Sequence, residues 1–175
     1  MAKKVAVLAV DPVNGMGLFH YLETFYENKI PFELFAVAPT PQIRTNSGVP
    51  LSAGGTIADL KGREAEFDAV VFACGDAVPV FASHASEPWN VALMEVLSAF
   101  GASDKPMIGH CAAGLMFSFA GAAAGMRVAV HPLAKAAVQG PLATDAPVEI
   151  DGNFYTAQDE HALPALLPRV VEALK

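Results

Sequence analysis

The chain is poor in cysteine, in positive charge and in uninterrupted apolar sequence, and each shortage removes a class of protein. Its two cysteines, Cys74 and Cys111, show neither CxxC spacing nor the Cys/His spacing of a zinc site, which argues against a disulfide scaffold and a structural metal. His20, His84 and His161 have no partners at ligand spacing, so no metal is expected. Eleven Lys and Arg against 18 Asp and Glu leave a formal charge of -7, with no basic run beyond Lys3-Lys4, so nucleic acid is not an expected partner. No stretch reaches the roughly 18 apolar residues of a membrane span. The apolar run Val5-Val10 stops at Asp11-Pro12, too short for a signal-peptide core. Neither membrane attachment nor export is expected, and the cytoplasm is the expected compartment, where a cysteine is kept for its reactivity.

What is abundant is apolar sequence: 53% of 175 residues are hydrophobic and 17% charged, enough for a single core and one domain over residues 1–175. A chain of this length buries roughly 70% of its unfolded surface. Continuous apolar runs at Val5-Val10, Phe32-Ala38, Ala69-Ala73, Met107-Gly109 and Val128-Val130 read as strands covered on both faces, a property of parallel sheets. Between them, helical periodicity marks Gly17-Asn28, Pro88-Phe100, Ala112 to about Ala122, and Glu160-Leu174. Leu18, Tyr21, Leu22 and Phe25 predict a buried stripe on the first helix. Asp151-Gly152, set between alternating apolar positions in 148–156, predicts a C-terminal β-hairpin as an antiparallel appendage. The expected fold is α/β: a flavodoxin-like three-layer sandwich with a mostly parallel sheet and helices on both faces. Ligands in such folds bind outside the carboxyl ends of the strands.

At those ends, Asn14-Gly15-Met16-Gly17 suggests a dinucleotide-binding turn, but the third glycine falls at His20 and the second strand ends without a ribose-binding acid. No cofactor is therefore expected. Gly109-His110-Cys111-Ala112-Ala113-Gly114 carries more chemistry. It places Cys111 between an apolar strand and a helix, with small neighbours, as a nucleophile elbow requires. Amides at a helix start favour thiolate over thiol. Cys74-Gly75-Asp76 ends another buried strand, and the Gly75 N–H there suits an oxyanion hole. His131 follows the run at Val128-Val130, read as a strand of the same sheet, and brings an imidazole to the same rim.

Together these residues resemble the ThiJ/PfpI superfamily, which includes the Parkinson-disease-associated protein deglycase, glyoxalase III-type chaperones, isonitrile hydratases and an archaeal intracellular protease. The resemblance spans nearly the whole chain and rests on the Cys111 elbow, the strand ending at Gly75, His131-Pro-Leu-Ala-Lys135, the Asp151-Gly152 hairpin and the closing helix. It implies that Cys111 is the nucleophile or redox centre, that the Gly75 and Ala112 amides bind an oxyanion, that His131 lines the site, and that the protein is a homodimer.

Two departures stand out. The family's acidic residue at the start of the first helix, which shares a proton with the cysteine, aligns with Gly17, and the histidine that many members place after the cysteine is Ala112. Asp76 is a candidate substitute acid. His110 should point away from Cys111, toward the core or an interface. Cys74 is either a small strand-end residue or a resolving thiol for oxidised Cys111. The sequence thus predicts a cysteine-dependent enzyme acting on a small electrophile such as an α-oxoaldehyde, isonitrile or amide-like carbonyl. A redox or stress-response protein and an intracellular cysteine protease are the alternatives.

Overall fold

A computed structural model describes residues 3–175. Val5–Val10 forms β1, buried at every residue because the strand is covered on both faces. The chain then turns through Asn14, whose side chain accepts the Gly17 N–H at 2.6 Å and so caps α1, Gly15–Glu27. Leu18, Tyr21 and Phe25 are buried along this helix, each burial contributing about 1.5–3 kcal/mol. There follow β2 (Phe32–Val37), β3 (Gln42–Arg44), β4 (Pro50–Ser52), β5 (Gly55–Thr56) and the one-turn helix α2 (Ile57–Leu60). Next come β6 (Ala69–Ala73), α3 (Pro88–Ala102), β7 (Met107–His110) and α4 (Ala113–Phe119). The chain ends in β8 (Arg127–Ala129), β9 (Leu142–Thr144), β10 (Val148–Asp151), β11 (Phe154–Ala157) and α5 (Leu163–Leu174).

Seven strands form the central sheet in the order β10-β11-β7-β6-β1-β2-β5, parallel except for the edge strand β10. Helix α1 packs beside α5, while α3 packs against both α2 and α4, giving the three layers of a flavodoxin-like α/β fold. From β1 the chain moves outward to β2 and β5, then returns to β6 on the other side. The β1/β6 border is therefore a topological switch point, where diverging loops leave a crevice at the carboxyl ends.

The C-terminal third corrects the sequence reading. The run at Val128-Val130 does not supply a strand of the central sheet; Arg127–Ala129 pairs instead with Leu142–Thr144 in a separate two-stranded sheet. The free edge of β7 is occupied by β11, which pairs with it in parallel from Phe154↔Met107 to Ala157↔His110. The hairpin is thus part of the main sheet, with only β10 antiparallel. Strand β8 is tied to this hairpin by the Ala129 N–H donating to Thr156 Oγ1 at 2.8 Å and the Arg127 N–H donating to Asp151 Oδ2 at 2.9 Å. Burial alone made Val128 and Val130 look like sheet residues. They are covered by packing against Gly114 on α4.

Candidate active site

The loops after β1, β6, β7 and β11 converge on one cavity of about 600 Å³. Cys111 sits in its floor with φ 58°, the left-handed conformation expected of a nucleophile elbow and costly for a residue with a side chain. The backbone holds that conformation from both sides: the Cys111 N–H donates to Ala157 O at 3.1 Å, and Cys111 O accepts the His131 N–H at 2.9 Å. Gly75 must be glycine here. A Cβ at position 75 would lie 2.5 Å from Val13 Cα and 2.8 Å from Asn14 N, inside the β1–α1 turn.

Cys74 and Cys111 meet, although they come from different strands. The Cys74 thiol beside it holds the Cys111 thiol below its ordinary range. The Ala112 N–H lowers it further, while burial and the carboxylates of Glu160 and Asp159 oppose the shift. Cys74 is pushed well above its ordinary range, by the same contact with Cys111 and by burial. Cys111 is thus the more acidic of the two thiols. The Gly75 and Ala112 N–H groups have no oxygen acceptor among the described residues and lie beside the sulfurs. Both remain free to receive a developing negative charge.

His131 lines the cavity, and its Nδ1 accepts the Leu133 N–H at 3.2 Å, so the ring proton of the neutral form is on Nε2. Asp76 lies on the exposed rim; its backbone N–H donates to Asn46 Oδ1 at 3.1 Å, and its carboxylate bonds neither cysteine. The sequence reading missed Glu160, a cavity-lining carboxylate with a side chain 25% exposed. It stands in the turn after β11, where Asp159 accepts the His161 and Ala162 N–H groups. Treating the hairpin as an appendage hid the fact that a parallel β11 delivers its carboxyl end to the same rim as β7. The wall is completed by the 3-10 segment Val78–His84, anchored by Asn90 Nδ2 donating to Phe81 O at 3.0 Å and His84 O at 3.1 Å.

His110 answers the departure at Gly17. Its side chain is buried against α1, and a Cβ on residue 17 would lie 2.6 Å from His110 Cε1, so the imidazole fills the space a side chain there would use. Tyr21 is fully buried, with His110 Nδ1 as its hydrogen-bond partner at 3.0 Å. His110 Nε2, the other ring nitrogen, has no partner among the described residues. Burial lowers the His110 pKa from 6.5 to about 4. The folded protein therefore resists a proton that the unfolded chain accepts below 6.5. Stability is expected to fall as pH drops from about 6.5 toward about 4, by roughly 3 kcal/mol in total. Melting curves across that window test this. His110→Leu should flatten the slope, and an unchanged slope would locate the titration elsewhere.

The fold is shared with known proteins. The DJ-1/PfpI family profile matches residues 3–173. The chain belongs to the DJ-1/PfpI family. Protein ppBat of Bacteroides thetaiotaomicron is 61% identical over 175 residues, covering 100% of both chains. A crystal structure of a protein provisionally named protease I, also from Bacteroides thetaiotaomicron, superimposes with a TM-score of 0.98 at 61% identity, over 99% of this chain and 100% of that one. Drosophila melanogaster DJ-1beta shares the DJ-1/PfpI fold, with a TM-score of 0.85 at 17% identity over 99% of this chain and 91% of its own. No helix among the described residues is long and apolar enough to cross a membrane.

Proposed function

We propose that the protein is a cysteine-nucleophile enzyme acting on a small electrophilic carbonyl or related carbon. The observation that carries this reading is the Cys111 elbow, a left-handed, depressed-pKa cysteine facing a cavity beside two amides with no oxygen acceptor. In the proposed step the Cys111 thiolate attacks the electrophilic carbon, and the displaced electron pair moves onto the attached heteroatom. The Gly75 and Ala112 N–H groups hold that charge, and His131 Nε2–H offers a third donor. Glu160 in the wall and Asp76 at the rim are the two carboxylates placed to pass protons between the cavity and water.

Size supports a small-molecule substrate, because the cavity has the volume of a metabolite-sized site and its walls are largely Val78, Pro79, Phe81, Leu115, Phe119 and Leu133. Proteolysis, the reading that the relative's provisional name carries, is supported less. Ala112 stands where a Cys-His pair would need its imidazole. A panel of α-oxoaldehydes, isonitriles and small activated amides tests the proposal. Turnover of at least one class, lost in Cys111→Ser, is the expected result; turnover that persists in Cys111→Ser would end it. Homodimerisation is part of the proposal, supported by the exposed Met16, Phe19 and Tyr26 on α1. Sedimentation analysis should give twice the chain mass.

A further inference from the structure

We propose that Glu160 seats an ammonium group of the substrate, so that the electrophile attacked by Cys111 is a small compound carrying a primary amine. The inference rests on the reading of Cys111 as the nucleophile and adds the charge of the substrate and the residue that reads it.

Glu160 is an unused carboxylate in the cavity wall. Its side chain is 25% exposed, and its ion-pair neighbour among the described residues, His161 Nε2, lies 3.9 Å from Oε1, beyond hydrogen-bond reach. Asp11, Glu33, Glu64, Glu149, Asp151 and Asp159, the other partly buried carboxylates, each accept a backbone N–H or pair with a cation. Glu160 alone of the seven does neither at hydrogen-bond distance. Withdrawing a carboxylate from water without a donor is costly, so a donor brought by a ligand is the complement it lacks.

A second polar group without a partner lines the same cavity. His110 is 1% exposed, and its Nε2 has no partner among the described residues. Burial keeps this imidazole neutral, with a pKa of about 4, so it supplies no positive charge to Glu160 at neutral pH. No Lys or Arg is among the described residues lining the cavity, whereas Asp76 and Glu160 both are. The cavity therefore favours a cation and opposes an anion.

The reacting sulfur is close to this charge. The Cys111 N–H donates to Ala157 O at 3.1 Å, and Glu160 follows Ala157 by three residues, in the turn where Asp159 accepts the His161 and Ala162 N–H groups. Without a ligand the carboxylate opposes the nucleophile, because Glu160 and Asp159 push the Cys111 thiol up. A substrate ammonium group offsets that charge on arrival, and its binding then favours the thiolate. A cavity of about 600 Å³ restricts the bearer of the amine to a small molecule.

Alkylation of the full-length protein at neutral pH by N-aminoethyl, N-propyl and N-carboxymethyl maleimide tests the seat. The Cys111 sulfur adds to the ring C=C bond; a C–S bond forms, the electron pair moves onto an imide oxygen, and the neighbouring carbon takes a proton from solvent. Rates at Cys111 are read by peptide mass spectrometry and divided by those of free β-mercaptoethanol. The aminoethyl reagent is expected to exceed the propyl reagent on the order of 30-fold, with the carboxymethyl reagent slowest. Glu160→Gln should bring the first ratio to within about threefold. Glu160→Lys should reverse the order, and melting curves check that both variants fold. An aminoethyl preference no greater than that of β-mercaptoethanol overturns the proposal. So does a preference that survives Glu160→Gln and is lost in Asp76→Asn, which would put the seat at the rim. Rapid labelling of Cys111 by all three reagents alike removes the ammonium seat and leaves the nucleophile, whereas a Cys111 inert to all three removes both.

Discussion

Gly17→Glu is expected to destabilise the protein by about 3 kcal/mol or more, lowering the melting temperature by roughly 6–12 °C, and Gly17→Glu/His110→Ala is expected to recover at least half of that loss. The cause is a steric exchange. The His110 ring lies over the bare Cα of Gly17, so a Cβ there would meet Cε1 at 2.6 Å. Neither partner moves easily: the Gly17 N–H is held by Asn14 Oδ1 at 2.6 Å, and the imidazole is held by Tyr21 at 3.0 Å within a buried layer. Truncating His110 alone leaves a cavity and an unpartnered Tyr21 hydroxyl, so that single variant should also be less stable. The two losses should therefore be strongly non-additive. Thermal melts of the four proteins measure the coupling. Strict additivity would show that the ring does not occupy the residue-17 space, and a Gly17→Glu protein that melts like wild type would show that the space is open.

The exchange also bears on chemistry. The family's carboxyl beside the cysteine is absent, and His110, neutral down to about pH 4, brings a ring hydrogen-bonded to Tyr21. The side chain that lowers the Cys111 pKa most is the Cys74 thiol instead. Thiolate stabilisation by a neighbouring thiol differs from stabilisation by a carboxylic acid, because the neighbour can itself be oxidised.

Cys111 is expected to react with iodoacetamide at neutral pH on the order of 100-fold faster than Cys74, with a midpoint below the ordinary thiol range of about 8.5. The difference follows from the contact between the two thiols, which depresses Cys111 and raises Cys74. Cys74→Ala removes the neighbouring thiol and should move the Cys111 midpoint upward, with a roughly tenfold loss of rate at pH values below it. Cys74→Ser retains a donor and should move it less. Peptide mass spectrometry of each cysteine, sampled from about pH 4 to about pH 10, provides the profiles. Equal labelling rates for the two thiols would contradict the assignment, and a midpoint unchanged in Cys74→Ala would leave the Ala112 N–H as the dominant stabiliser.

By itself the sequence determined the class of fold and singled out Cys111 as the candidate nucleophile. Val5–Val10 and Ala69–Ala73 are apolar at every residue, which only a strand covered on both faces tolerates, and their alternation with helical stretches leaves little besides a parallel α/β sandwich. The elbow was legible because a strand-to-helix turn needs small residues within a few positions of Cys111. These are short-range constraints, readable from neighbours in the chain.

Tertiary structure decided what depends on strand order. Cys74 and Cys111 reach one cavity because β6 and β7 are adjacent parallel strands, and nothing local to either cysteine encodes that neighbourhood. Glu160 reaches the cavity because β11, rather than the equally buried Arg127–Ala129 segment, takes the edge of β7. His110 became the counterpart of Gly17 only when α1 packed over β7. In each case the deciding interaction joins residues far apart in sequence, and the packing of whole elements selects it.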